Sequence, residues 1–353
     1  METHLADDAP VLSRGLTYPL GDPPGPGLAV EAAPGVLWLR LPLPFALEHV
    51  NAYAIRDGDG WAVVDTGLST SLTRQLWEAA LAGPLGGLPV TQLICTHMHP
   101  DHIGLAGWLC ERFEAPLLMS RLEYVTARML LADTGTSAPE AHAAFFTAAG
   151  WTTAQIQAWR DEYGTFGRRV EPLPRTFQRL SDGDVISIGG EDWTITVGSG
   201  HSPEHVCLWR RSDDVILSGD QVLPRISSNV SLYPTEPLAD PLGDWLASLD
   251  KLEALWPEDA FILPAHGEPF RGLHPRLKAL KRGHAVSLER LTRALAEPRR
   301  VVDLFVAVFG RSIDDGLLGM ATGECLAHLI YLERRGVVTR DRAAAGVDWW
   351  RAL

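Results

Sequence analysis

Cysteine is scarce in this chain. Cys95, Cys110, Cys207 and Cys325 are scattered through 353 residues, with no CxxC pair and no spacing that frames disulfides. That argues against a disulfide scaffold and suits a reducing, cytoplasmic setting. Long apolar runs are also missing: nothing approaches the roughly 18 consecutive apolar residues of a membrane span, so no membrane partner is expected. The first 34 residues are acidic and rich in Pro and Gly, without the basic and apolar regions of a secretory leader. Positive charge is in deficit, the formal net charge being -13. The deficit is uneven. Residues 271–353 carry 15 Lys and Arg against 9 Asp and Glu, whereas the remaining 270 residues carry 16 against 35. The acidic body repels phosphates, so nucleic acid is disfavoured, rather than excluded, as a partner. The basic segment marks a compositionally separate C-terminal module, with a solvated face the preferred reading of its charge.

What is present is ordinary globular material, 46% hydrophobic and 21% charged, enough for a large domain with a smaller one. After an irregular arm over residues 1–35, residues 36–41, 51–55 and 60–64 read as strands, with the turn-prone Asp57-Gly58-Asp59-Gly60 before the third. Helical spacing follows over 69–81, a strand over 90–95, and helical spacing again over 103–113. Residues 120–170 lack strand pattern and read as a helical insert. In it, Ser120-x-x-Glu123 and Ser137-x-x-Glu140 look like capping boxes, and Thr152 or Thr153 like the cap of a third helix. Strands return over 185–188, 193–197, 206–209, 215–217 and 261–263, with Asp240-Pro241 opening a helix between the last two. The pattern thus divides into the arm, a catalytic domain over 36–274 and a module over 275–353. Three helices and a short hairpin in that module have the layout of a winged helix.

The chemistry concentrates in Thr96-His97-Met98-His99-Pro100-Asp101-His102, which directly follows a strand. With 12 His in the whole chain, three in six residues beside a carboxylate is hard to ascribe to chance. Imidazole and carboxylate together suit zinc, with iron or manganese as alternatives. His201, Asp220 and His266 also stand at strand ends. Seven ligands divide naturally into His97, His99 and His201 on one divalent ion and Asp101, His102 and His266 on a second. Asp220 is shared between them, and a position is left for a bridging hydroxide. Two such ions lower the pKa of bound water and polarise a carbonyl or phosphoryl oxygen. Asp65, at the end of the third strand, is a candidate to orient ligands from behind. His205 has the spacing of a supporting or core residue and is left out of the ligand set. Arg225, Asn229 and Tyr233, in the polar loop after Asp220, are candidate substrate or supporting residues.

These segments, Val64-Asp65-Thr66-Gly67, THMHPDH, GHSPEH, SGD and PAHG in that order, resemble the metallo-β-lactamase superfamily over about residues 36–270. The resemblance implies an αββα sandwich with the metals at one edge. Its commonest zinc β-lactamases carry Cys where this chain has Asp220, which disfavours antibiotic hydrolysis. An Asp there resembles glyoxalase-II-like thioesterases, lactonases, phosphodiesterases and RNA-processing nucleases. Lactonases that open acyl-homoserine lactones often have Tyr shortly after that Asp, and here Gln221-Val222-Leu223-Pro224 follows. The C-terminal module, through residues 324–338, is similar to the winged helix of a lactamase-like endoribonuclease.

The expectation is a dinuclear metal hydrolase of ester, thioester or lactone bonds that uses a metal-bridging hydroxide, with Asp101 and Asp220 positioning the water or relaying its proton. Its substrate is a small acyl compound, and a homo-oligomer remains open. The alternatives are a phosphodiester nuclease acting on single-stranded RNA, iron-dependent oxygen chemistry, and a non-catalytic metal-binding scaffold.

Overall fold

The computed structural model describes residues 15–353. One sheet runs in chain order: β1 (Val30–Ala33), β2 (Val36–Pro42), β3 (His49–Asp57), β4 (Gly60–Val64), β5 (Val90–Ile94), β6 (Leu117–Met119) and β7 (Gln178–Arg179). Its first four strands are antiparallel, and β4 to β7 are parallel. The second sheet comprises β8 (Val185–Ile188), β9 (Glu191–Gly198), β10 (His205–Arg210), β11 (Val215–Gly219) and β12 (Phe261–Pro264), ordered β12-β11-β10-β9-β8. Only β11 and β12 pair in parallel.

The strands are apolar on both faces because both faces are covered. Along β2 and β3, Trp38, Tyr53 and Ile55 face the second sheet, meeting Trp193, Ile195, Val206 and Leu208. The alternate residues Leu39, Leu41, Ala52 and Ala54 face outward, onto helix α1 (Ser71–Ala82) and its neighbours. In β10 the same period of two sends Val206 and Leu208 inward, and Cys207 and Trp209 outward beneath helix α7 (Pro241–Leu255) and helix α8 (Leu273–Ala294). The fold is an αββα sandwich.

Several sequence readings change. The arm is not wholly irregular, since residues 30–33 pair with β2, and Thr17 bridges to Arg271; residues 1–14 of it lie outside the described residues. The helix expected over 103–113 is broken into α2 (Pro100–Ile103) and α3 (Ala106–Phe113). Gly104 stands at the break because a Cβ there would lie 2.4 Å from Gly67 O and Ser69 N. The insert forms α4 (Arg121–Ala132), α5 (Glu140–Ala148) and α6 (Thr153–Glu162). Only α6 has its capping box, with Thr152 and Gln155 bonded reciprocally. Ser120 and Pro139, at the other two N-caps, make no side-chain capping bond.

The C-terminal region is helical: α8, a 3-10 turn (Val301–Asp303), α9 (Phe305–Phe309) and α10 (Leu318–Glu333), then a hairpin of β13 (Val338–Arg342) and β14 (Asp348–Ala352). It shares a core with the insert, in which Phe146 and Trp151 pack among Leu291, Val301, Phe305, Leu329 and Trp350. The Trp151 indole donates to Thr322 Oγ1 at 2.9 Å. Insert and C-terminal region are one packed unit.

Candidate metal centre

Parallel pairing brings the chemistry together. Because β4 runs with β5, and β11 with β12, four strands deliver their C-terminal ends, with Asp65, His97, Asp220 and His266, to one edge of the sandwich. The turn between β9 and β10 adds His201. All seven expected ligands converge there, in two groups. His97, His99, His201 and Asp220 form one, and Asp101, His102 and His266 the other. Asp220 stands between them. Its Oδ2 lies 3.3 Å from His201 Nε2 and 4.0 Å from His97 Nε2, while its Oδ1 lies 3.3 Å from His266 Nε2 and 3.6 Å from His102 Nε2.

The atoms behind the ligands decide which nitrogen faces inward. His102 Nδ1 meets Asp65 Oδ2 at 2.8 Å, His201 Nδ1 the Asn229 carbonyl at 2.8 Å, and His266 Nδ1 the His49 carbonyl at 2.7 Å. Each of these acceptors claims the Nδ1 proton, which leaves Nε2 with its lone pair. His97 follows the same logic one step removed: Thr96 Oγ1 donates to Asp65 Oδ2 at 2.8 Å and so faces His97 Nδ1, 3.0 Å away, with a lone pair. Asp65 also accepts from Thr96 N at 2.8 Å. It does so from the left-handed region, at φ 61°, which costs a non-glycine residue of order 1 kcal/mol or more. His205 lies behind the centre, accepting the Asp220 N–H on Nε2 at 3.0 Å and stacking on His97.

The charge pattern asks for cations. Burial pushes His97, His99 and His205 down, the latter two to about 3. Burial alone would lower His102 as well, but the carboxylates of Asp101, Asp220 and Asp65 outweigh it and raise His102 to about 10. Asp220 resists burial in the same way: His266 and His102 hold its carboxyl well below the usual range. Among the described residues, three buried atoms, His102 Nε2, His266 Nε2 and Asp220 Oδ1, find no hydrogen-bond partner. Buried polar atoms are rarely orphaned, and these three face one another. Divalent ions fit the donor set and would satisfy all three.

The metallo-beta-lactamase superfamily profile matches residues 46–267. The chain belongs to this superfamily. The profile of the metallo-beta-lactamase-like C-terminal domain matches residues 288–353. A crystal structure of a beta-lactamase domain protein from Burkholderia ambifaria is 37% identical, covers 97% of this chain and 99% of its own, and superposes with a TM-score of 0.89. The probable metallo-hydrolase YqjP of Bacillus subtilis is 25% identical over 86% of this chain and 94% of its own length. The acyl-coenzyme A thioesterase MBLAC2 of Gallus gallus is 27% identical over 53% of this chain and 63% of its own length. The chain is a metal-dependent hydrolase of the superfamily. No helix among the described residues is long and apolar enough to cross a membrane.

Outside the ligands, the candidate loop residues part ways. Asn229 meets His201 through its carbonyl. Tyr233 is 43% exposed, with desolvation at its hydroxyl and then the charge of Glu123 raising it to about 12. Arg225 does not stand as a free cation beside the ligands. It pairs with Glu268 at 3.2 Å and covers the Tyr18 ring. Sequence reasoning missed Glu123. Instead of capping α4, its carboxylate is buried and accepts from Met98 N and Glu204 N, both at 2.8 Å. It thereby ties the His97–His99 stretch to the His201 loop. Ser120 likewise turns away from the cap, donating to the Glu204 carbonyl at 2.7 Å.

Proposed function

We propose that the chain hydrolyses ester, thioester or lactone bonds of small acyl compounds with a dinuclear centre, zinc being the first expectation for the metal. The observation that carries this reading is Asp220, whose two oxygens face the two ligand groups separately. His97, His99, His201 and one Asp220 oxygen would hold one ion, and Asp101, His102, His266 and the other oxygen the second. Bound there, divalent ions supply a nucleophilic water near neutral pH and polarise a carbonyl.

The protein's own groups do the rest. Asp101, with a fifth of its side chain exposed, is the ligand carboxylate open to solvent and is suited to pass a proton out. Tyr233, protonated across the neutral range, offers a hydrogen-bond donor to the substrate carbonyl. For the acyl group, α4 presents Leu122, Val125 and Met129, all exposed, on one face. That face starts beside the His201 loop, where Leu122 N bonds Glu204. The thioesterase among the relatives supports the same substrate class.

A nuclease needs a basic track, and the C-terminal arginines are largely spent within the fold. Arg340 pairs with Glu333 and Asp348, Arg342 with Asp348, and Arg335 with Asp240. Arg334 donates to the Leu238 carbonyl. The order of three helices and a hairpin supports a winged-helix layout here, used for packing rather than for nucleic acid.

The test is a panel of aryl esters, acyl thioesters, lactones and single-stranded RNA, run on metal-replete protein. Turnover of an acyl substrate that is lost in Asp220→Ala, with a metal content near two ions per chain in the unmodified protein, is the expected result. RNA cleavage lost in Asp101→Ala, with no acyl substrate turned over, would reverse the assignment.

A further inference from the structure

The C-terminal region reaches the centre through one buried acid. Glu324, on α10, accepts from Asn229 Nδ2 through Oε2 at 2.7 Å. The main-chain carbonyl of the same Asn229 meets His201 Nδ1 at 2.8 Å. Around this link the loop is clamped to the helix. Leu232 N donates to the Gly323 carbonyl at 3.0 Å, and the Ser231 hydroxyl donates to Asn229 Oδ1 at 2.5 Å, holding the other end of the same amide. A Cβ on Gly323 would lie 2.7 Å from Ser231 Oγ, so the helix backbone approaches as closely as only glycine permits. Behind Glu324, its own carbonyl accepts from His328 Nδ1 at 2.8 Å, and His328 meets His284 of α8 at 3.2 Å.

We propose that Glu324 is a positioning residue of the metal centre, holding His201 in its ligating orientation through Asn229. This rests on the dinuclear reading given above. A purely structural role fits the residue poorly. A carboxyl that is 7% exposed, with Asn229 as its one side-chain partner among the described residues, destabilises a fold more readily than it supports one. An apolar side chain would serve packing better. What the carboxyl adds is an acceptor for the Asn229 side-chain amide, which steadies that residue and with it the direction of the main-chain carbonyl to which His201 points. Partners that orient a ligating histidine from behind are typically worth about 10- to 100-fold in metal affinity, and Glu324 acts on such a partner from one bond further out.

The test compares full-length unmodified protein with Glu324→Leu, Glu324→Gln and Asn229→Ala, by zinc competition against a chromophoric chelator and by the visible spectrum of the cobalt-substituted forms. Glu324→Leu is expected to weaken one of the two zinc equivalents by about 10- to 100-fold. The cobalt band of that ion should shift while the other is unmoved. Glu324→Gln still offers Asn229 an acceptor and should stay within about threefold of the unmodified protein. Asn229→Ala should weaken the same equivalent, and combining it with Glu324→Leu should add nothing, since both break one link. A folded Glu324→Leu protein that binds both equivalents as the unmodified chain does would overturn the proposal. Should Glu324→Leu not fold, Asn229→Ala decides on the same readout. Unmodified protein binding fewer than two ions would overturn the dinuclear reading, and this inference with it; two tight ions with indifferent variants would overturn this inference alone.

Discussion

Replacing Glu324 with Gln should change how stability depends on pH, and the sign follows from burial. Desolvation raises the carboxyl from 4.5 to about 8, against the opposing bond from Asn229. In the unfolded chain it ionises near its ordinary value, so between pH 4.5 and pH 8 the folded state holds a proton that the unfolded state has lost. Folding then weakens as pH rises through that window. At about 1.4 kcal/mol per unit, the loss between pH 5 and pH 8 is on the order of 3 kcal/mol. Gln has no proton to lose and keeps the bond to Asn229. The buried His284 and His328, which burial pushes down to about 3 and about 4, titrate in both proteins and cancel in the difference. Urea unfolding at pH 5, 6.5 and 8 should therefore show Glu324→Gln gaining on the unmodified protein at each step. A difference constant to within about 0.5 kcal/mol over that range would refute the reasoning, because the acid would then ionise without cost.

Asp65→Asn puts an amide N–H against His102 Nδ1 and should lower metal affinity by about 10- to 100-fold and stability by about 1–3 kcal/mol, measured by chelator competition and urea unfolding. Gly219→Ala places a Cβ 2.4 Å from His205 Cε1, at φ +51°; the expected outcome is loss of bound metal by elemental analysis in a chain that still folds by circular dichroism. Cutting the chain before α8 removes Leu277 and Leu280, buried beside β12 and α7, and Arg276, buried against the Leu223 and Ile226 carbonyls. Aggregation in light scattering is expected, and a soluble monomer with full activity would show the region to be dispensable.

The candidate ligands were legible because a dense His and Asp cluster directly follows one apolar strand and His201, Asp220 and His266 stand close to the ends of others, and strand ends are readable from apolar runs. The pairing of β4 with β5 and of β11 with β12 then gathers them without further instruction. Glu123 was misread for a physical reason. Ser-x-x-Glu is a valid local capping pattern, and only tertiary contact with Met98 and Glu204, 25 and 81 residues away, diverts both side chains from it. Strands of three and two residues, β6 and β7, are too short to show a period of two. Arg225 read as a substrate candidate because its partner, Glu268, lies 43 residues further along the chain. Glu324 was invisible for the same cause: its bond spans 95 residues.

The four thiols, all free and buried, carry a practical consequence. Burial pushes Cys110 up to about 12, and Cys95, Cys207 and Cys325 are raised as well. Alkylation requires the thiolate, so in the folded state each site should react only when its own surroundings open. Cys325 adjoins Glu324 on α10, Cys95 directly precedes Thr96, Cys110 lies on α3 and Cys207 on β10. Mass-resolved labelling of the unmodified chain would thus run four clocks at once. The lag between Cys325 and the other three would time the departure of the C-terminal helices from the sandwich, with no probe introduced.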